Sequence, residues 1–357
     1  MTPSDGGARA VDLLHELVSI PSLTGSEAAI IDFLEERYRS LGWIAESIEV
    51  RPGRRNLFVR RGRPRVVLTT HADTVPPHFQ PRREGSLLFA RGACDAKGSL
   101  AAMAVALEEL GTETEEAGLL ILVGEERGSD GAIAANRKAP PSVQFLVGGE
   151  PSRNRFVAGS KGCLRVTVET RGRAGHSSIP ESGASAVLTL LDFLNALRGI
   201  DLPEDPVFGS TMMNIGVLEA GTAPNVIPEH ARAEVLFRTG LPVEQLLARI
   251  RVFTTGGVEL SVPYRSDPIL FRLPKGVRGE IVSFASDLPL LTAWGEPLLA
   301  GPGSIHDAHA AEEKVDLAEV RDAVSLYTDL VRGLLSRGDA YLEPKSSDPL
   351  LNGRLEM

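Results

Sequence analysis

The chain is short of the residues on which many small functional modules depend. Only two of its 357 residues are cysteine. These are Cys94 and Cys163, in neither a CxxC pair nor a zinc-ribbon spacing, so a cysteine-built metal site and a disulfide scaffold are excluded. Basic charge is also in deficit: 38 Lys+Arg against 47 Asp+Glu leave a net charge of −9. The short basic stretches at 51–55 and 60–65 form no stripe, which argues against nucleic acid and anionic membrane surfaces as partners. Long apolar runs are missing. The longest, Gly118–Gly124, is the size of a strand and far short of the roughly 20 residues of a membrane span. The opening Met-Thr-Pro-Ser-Asp-Gly-Gly lacks the basic start and apolar core of a secretory signal. Together with the unpaired cysteines, this sets the expectation of a cytoplasmic protein. Histidine is scarce too, with seven in all, so the setting of each one carries information.

What is present is ordinary globular composition: 43% apolar and 24% charged residues, punctuated by 36 glycines and 24 prolines. The length suits two domains. Thr24 and Glu27 have capping-box spacing, and Ile30, Phe33, Leu34, Tyr38 and Leu41 follow on one helical face up to Gly42. Short apolar runs at 56–60, 66–70, 119–123 and 145–147 read as central strands. They alternate with a helix pattern over 100–110 that Gly111 stops.

From about Phe156 to Pro263 the order changes to strand, helix, strand, strand, helix, strand. The segments are 162–170, 184–197, 211–218, 229–238, 243–252 and 258–262, the split βαβ order of ferredoxin-like modules. A helix at 317–335 would return the chain to the first domain. The expected architecture is therefore α/β: a mixed-sheet, three-layer catalytic domain (1–157 and 266–357) with an inserted α+β ferredoxin-like domain (158–265). The polar stretch 338–357 reads as a loosely held tail.

The chemistry-bearing motifs follow the apolar strands, where α/β sheets place their ligand sites. The 66–70 strand is followed by His71-Ala72-Asp73, whose His and Asp point to one side of an extended segment. Cys94-Asp95-Ala96-Lys97 opens the 100–110 helix, and Asp95 there suits a cap or a bridge between two cations. Glu125-Glu126 follow a buried strand, where adjacent carboxylates need a cation or a proton. One of the pair can bind metal while the other stays free as a base. Glu150 follows another strand. Far downstream, Gly301-Pro302-Gly303-Ser304 precedes His306 and His309, either of which could complete a metal shell. Taken together, His71, Asp95, Glu126, Glu150 and His309 supply two imidazoles and three carboxylates. That set suits two Zn²⁺ ions bridged by Asp95, with each metal receiving one His and one terminal Glu. Co²⁺ or Mn²⁺ would be acceptable substitutes.

These motifs, in this order, resemble the co-catalytic zinc metallopeptidase family of acetylornithine deacetylase, succinyl-diaminopimelate desuccinylase, aminoacylase and carboxypeptidase G. The resemblance implies a zinc pair held by His71, Asp95, Glu126, Glu150 and His309. It further implies Glu125 as general base and Asp73 as the partner of His71. The inserted domain would be a lid that dimerises. His176, in Gly175-His176-Ser177-Ser178, would reach the partner subunit's active site. Asn225 and Arg238 in the lid, with Gly301 and Ser304, would contact substrate. His306 reads as incidental, and His15, His78 and His230 as surface or packing residues.

The implied function is a di-zinc amidohydrolase acting on a small N-acyl amino acid in arginine or lysine biosynthesis. Alternatives within the family are release of lysine or ornithine from an amino-group carrier protein, and dipeptidase or carboxypeptidase action. An inactive metal-binding scaffold is the alternative from another class.

Overall fold

The continuous apolar runs do form central strands. The computed structural model describes residues 5–111 and 113–344; Met1–Ser4 and the end of the chain from residue 345 lie outside it. The chain divides into two units. The first comprises residues up to Ala158, Phe271–Glu280, and everything from Ser286 onward. The second comprises Gly159–Leu270 and Ile281–Ala285.

A six-stranded mixed sheet forms the first unit, in the spatial order Ile44–Arg51, Arg54–Arg60, Ala117–Leu122, Val66–His71, Phe145–Gly148, Glu296–Leu299. The first three strands pair antiparallel and the last four parallel, so Ala117–Leu122 is where the direction changes. Alternate residues divide the sheet's two faces. Leu57, Val59, Val66, Leu68, Leu119 and Ile121 join one core with helices Asp5–Ser19, Ala28–Ser40, Lys97–Leu110 and Leu317–Arg337. The opposite face carries Phe58, which meets Trp294 edge-on with ring centroids 5.1 Å apart. Trp294 in turn donates its indole N–H to the Ala135 carbonyl of helix Asp130–Asn136 at 3.0 Å. Three layers result, as expected.

In the second unit, strands Met212–Ala220, His230–Thr239, Gly162–Arg171 and Val258–Ser266 form an antiparallel sheet in that spatial order. Ala231, Ala233, Val235 and Phe237 point into a core shared with helices Ala186–Arg198 and Val243–Arg251. This is the ferredoxin-like module read from the order of elements.

Two expectations need correction. Thr24 and Glu27 do not form a capping box. Helix Ala28–Ser40 begins without a side-chain cap, because both side chains are engaged elsewhere. Thr24 Oγ1 donates to Asp73 at 2.8 Å, and Glu27 pairs with the buried Arg54. Nor is the stretch from Gly338 loose at its start. Leu342 is buried, the Tyr341 ring lies against Gly333, and Glu343 N–H donates to the Leu273 carbonyl at 2.9 Å. The remainder of that segment lies outside the described residues. Both cysteines are free and buried.

Candidate active site

The site lies at the carboxyl ends of the parallel strands, and each acidic motif arrives on a separate connection. His71 is the last residue of its strand and is buried. Its Nδ1 lies 2.9 Å from the Asp73 carbonyl oxygen, which leaves Nε2 facing Asp95 Oδ1 at 3.1 Å. The second Asp95 oxygen lies 3.3 Å from His309 Nε2, and that same nitrogen is 2.9 Å from Glu126. One carboxylate thus lies between two imidazoles.

The consequence is a pair of clusters sharing a member. Donor atoms of His71, Asp95 and Glu150 lie within 4.8 Å of one another, as do those of Asp95, Glu126 and His309. A nitrogen-and-carboxylate set of this kind suits a divalent cation such as Zn²⁺, Co²⁺ or Mn²⁺. The electrostatics point the same way. Burial pushes the Glu150 carboxyl well above its usual range, and no hydrogen bond engages it among the described residues. Hydrogen bonds to Asp95 and Glu126 push the His309 imidazole up to about 10. Burial would raise Asp95, but His309 and His71 hold it below the ordinary carboxylate value.

Glu125 and Glu126 stand in a single 3-10 turn, Glu125–Arg127, entered through Gly124 at φ +85°. A side chain on Gly124 would collide with the Asp130 carboxylate and with Arg54. Asp73 anchors this turn. Its Oδ1 accepts the backbone N–H groups of Gly124 and Glu125 at 2.8 and 3.1 Å, and its Oδ2 accepts that of Glu126 at 3.3 Å. Its carboxylate is 3.5 Å from His71 Nδ1, so it serves the glutamate turn more closely than the ring. The Glu125 carboxylate makes no hydrogen bond among the described residues, and burial raises its pKa well above the ordinary value.

The other expected residues fall into two groups. Gly301 lies against Glu150, where a Cβ would approach the Glu150 carbonyl oxygen to 2.6 Å. Ser304 Oγ accepts from Arg153 at 3.1 Å and from the His306 N–H at 3.3 Å. Gly301 N–H donates to Ser152 Oγ at 3.0 Å, so both residues are engaged mainly by the segment Ser152–Asn154 that follows Glu150. His176, Asn225 and Arg238 belong to the second unit. His176 sits on a two-residue strand paired with Val226–Ile227, exposed, with its Nδ1 2.8 Å from Ser178 Oγ. Asn225 is exposed and accepts the Ser177 N–H on its carbonyl at 3.1 Å. Arg238 is half-buried on strand His230–Thr239 and has no carboxylate partner among the described residues. His306, His15 and His230 are exposed and join neither cluster.

Four residues at the site were not anticipated. Arg91 and Glu313 form a buried ion pair at 2.7 Å. Lys97 is buried, donates to the Leu17 and Ile20 carbonyls at 3.0 and 2.8 Å, and is held down to about 7 by burial. Asp287 lines a cavity of about 10 Å³ beside Thr69, His71, Glu150 and Ser286, room for about one water. Burial pushes its carboxyl up to about 7. Lys97 stands in the motif around Asp95, and Glu313 just past His309, but neither position marks its role, and Arg91 and Asp287 carry no local pattern.

Residues 158–253 match the peptidase dimerisation domain of the M20 family. Over nearly its whole length the chain is similar to a peptidase M20 domain-containing protein of Schizosaccharomyces pombe, at 33% identity across 91% of this chain and 84% of that one. It is 32% identical to a probable carboxypeptidase of Emericella nidulans, across 92% and 90% of the two chains. Among solved structures, a tripeptidase of Staphylococcus aureus superposes with a TM-score of 0.75 at 22% identity, over 91% of this chain and 99% of that one. An M20 family metallo-carboxypeptidase of Sulfolobus solfataricus gives 0.73 at 16% identity, over 90% and 98%.

Proposed function

The chain belongs to the M20 peptidase family, and from that premise we propose that it is a two-metal hydrolase releasing an amino acid with a free carboxylate from a small amide. The observation that carries this reading is the pair of clusters sharing Asp95, with Glu125 unengaged beside them. His71, Asp95 and Glu150 would hold one cation, and Asp95, Glu126 and His309 the other. Two dications against three carboxylates largely neutralise a buried site. Bound there, the metals would lower the pKa of a water toward ~7 and polarise the scissile carbonyl.

The protein's own groups do the rest. Glu125, held at a fixed angle by Asp73 through its backbone, accepts the proton of the attacking water. It then returns that proton to the departing amine. His176 would donate to the developing oxyanion from the partner subunit. Arg238, unpaired and half-buried, suits the substrate carboxylate.

Dimerisation would run through the second unit. Met212 and Leu218 on its edge strand, and Leu188 and Leu191 on its helix, are exposed apolar side chains of the kind that a partner covers. No helix among the described residues is long and apolar enough to cross a membrane. The free cysteines suit a reducing compartment, so the reading is of a cytoplasmic enzyme.

Relatives named as probable carboxypeptidases favour short peptides over the more specific expectation of acetylornithine or succinyl-diaminopimelate. A side-by-side assay decides between them. The apoprotein is reloaded with Zn²⁺ or Co²⁺ and offered dipeptides, tripeptides, acetylornithine, succinyl-diaminopimelate and a carrier-linked lysine. Metal-dependent release of a free C-terminal amino acid from the peptides is the expected result. Turnover confined to acetylornithine or succinyl-diaminopimelate would replace this reading with the biosynthetic one, and no turnover of any substrate would favour the scaffold.

A further inference from the structure

The bridging carboxylate of Asp95 directs both of its oxygens at imidazoles, so something other than its own side-chain hydrogen bonds must fix its direction. That grip comes from a residue 218 positions away. Glu313 Oε1 accepts the backbone N–H of both Cys94 and Asp95, each at 3.0 Å. Its Oε2 accepts from Arg91 at 2.7 Å, and the Glu313 and Arg91 side chains are 1% and 2% exposed. Two consecutive N–H groups converging on one oxygen set the orientation of the Cys94–Asp95 peptide, and with it the direction in which the Asp95 side chain leaves the backbone. The Glu313 carbonyl oxygen accepts the Ala90 N–H at 3.0 Å, so the same residue ties the turn at its entrance. Lys97 ties its exit to the carbonyls of Leu17 and Ile20.

We propose that Glu313, backed by Arg91, is a positioning residue that preforms the metal bridge by clamping the Asp95 backbone. The proposal rests on the two-metal reading above. A buried pair kept only for stability is readily replaced by apolar side chains. A clamp needs an acceptor of the right length instead. Ligand-orienting groups outside the coordination shell commonly matter 10–100-fold for metal affinity.

Two variants separate reach from charge. Glu313→Asp keeps the negative charge for Arg91 but shortens the reach to the two N–H groups. Arg91→Met/Glu313→Gln removes both charges but keeps an oxygen at full length. Co²⁺ affinity is measured by chelator competition on apoprotein, with the visible Co²⁺ absorption as a check on geometry. We expect Glu313→Asp to bind Co²⁺ about 10–100-fold more weakly than the parent, with a changed spectrum. The double variant should stay within a few-fold of the parent and keep the parental spectrum. Parental affinity in Glu313→Asp, or equal losses in both variants, would overturn the clamp alone. A parent chain that binds no Co²⁺ would overturn the two-metal reading together with it.

Discussion

The two units treat their polar residues in opposite ways. In the first, Asp73 and Glu313 direct their carboxylates at backbone N–H groups on neighbouring loops, and His71 is fixed by a backbone carbonyl. His71, Asp95 and Glu126 thus each have a supporting group that holds the backbone or the ring. In the second unit His176 and Asn225 are exposed, and Arg238 stands without an acidic partner among the described residues. The first arrangement would give cations a fixed receptor. The second leaves groups free to meet something that arrives. A two-part hydrolase needs both, because metal geometry has to be set in advance while a polar group on an exposed surface can adapt to its substrate.

Substitutions can break or sharpen this contrast. The largest effect is expected from Glu125→Ala. It removes the free base but no metal donor, so turnover should fall by about 10³–10⁴ while metal content, read by elemental analysis, is unchanged. Substantial residual activity would remove Glu125 from its assigned role.

Next comes His176→Ala in the second unit, expected to lower kcat by about 10²–10³ if one oxyanion donor is lost. Its sharpest form is a mixing experiment. Glu125→Ala and His176→Ala chains, each strongly impaired alone, should regain activity as hybrids, since one site then holds both groups. Absence of recovery would confine His176 to its own subunit. The smallest effect is expected from Asp73→Asn. The amide keeps only one oxygen for the three N–H groups of the glutamate turn, so metal affinity should weaken about 10–100-fold. An unchanged affinity in chelator competition would mean that the turn holds its shape unaided.

What the sequence revealed follows the same division. The strands that carry His71, Glu126 and Glu150 were legible because both faces of the sheet are buried, which leaves unbroken apolar runs. The edge strand Ile44–Arg51 went unread because Ser47, Glu49 and Arg51 are polar and exposed and only Ala45 and Ile48 are buried. Helix Asp5–Ser19 was masked by Gly6 and Gly7, poor helix formers in isolation. The structure supplies the reason for Gly7: a Cβ there would meet the Arg321 side chain at 2.9 Å. His71, Glu126 and Glu150 were legible because they adjoin strand ends, whereas Asp95, before helix Lys97–Leu110, and His309, in a loop, were legible only from the order of the motifs. The roles of Glu313 and Arg91 were not legible, since hydrogen bonds across more than two hundred residues leave no local pattern, and Asp287 was not, since its neighbours His71 and Glu150 lie far from it in the chain. The supposed capping box of Thr24 and Glu27 failed for a related reason. Distant partners, Asp73 and Arg54, compete successfully for both side chains.

The shared carboxylate is the centre of the account, and counting metals tests it most directly. Titrating the apoprotein with Co²⁺ or Zn²⁺, with free metal measured at equilibrium, should show two tight equivalents per chain, and Asp95→Ala should lose both together because each site takes one oxygen from that residue. A single equivalent in the parent, or two retained in Asp95→Ala, would contradict it.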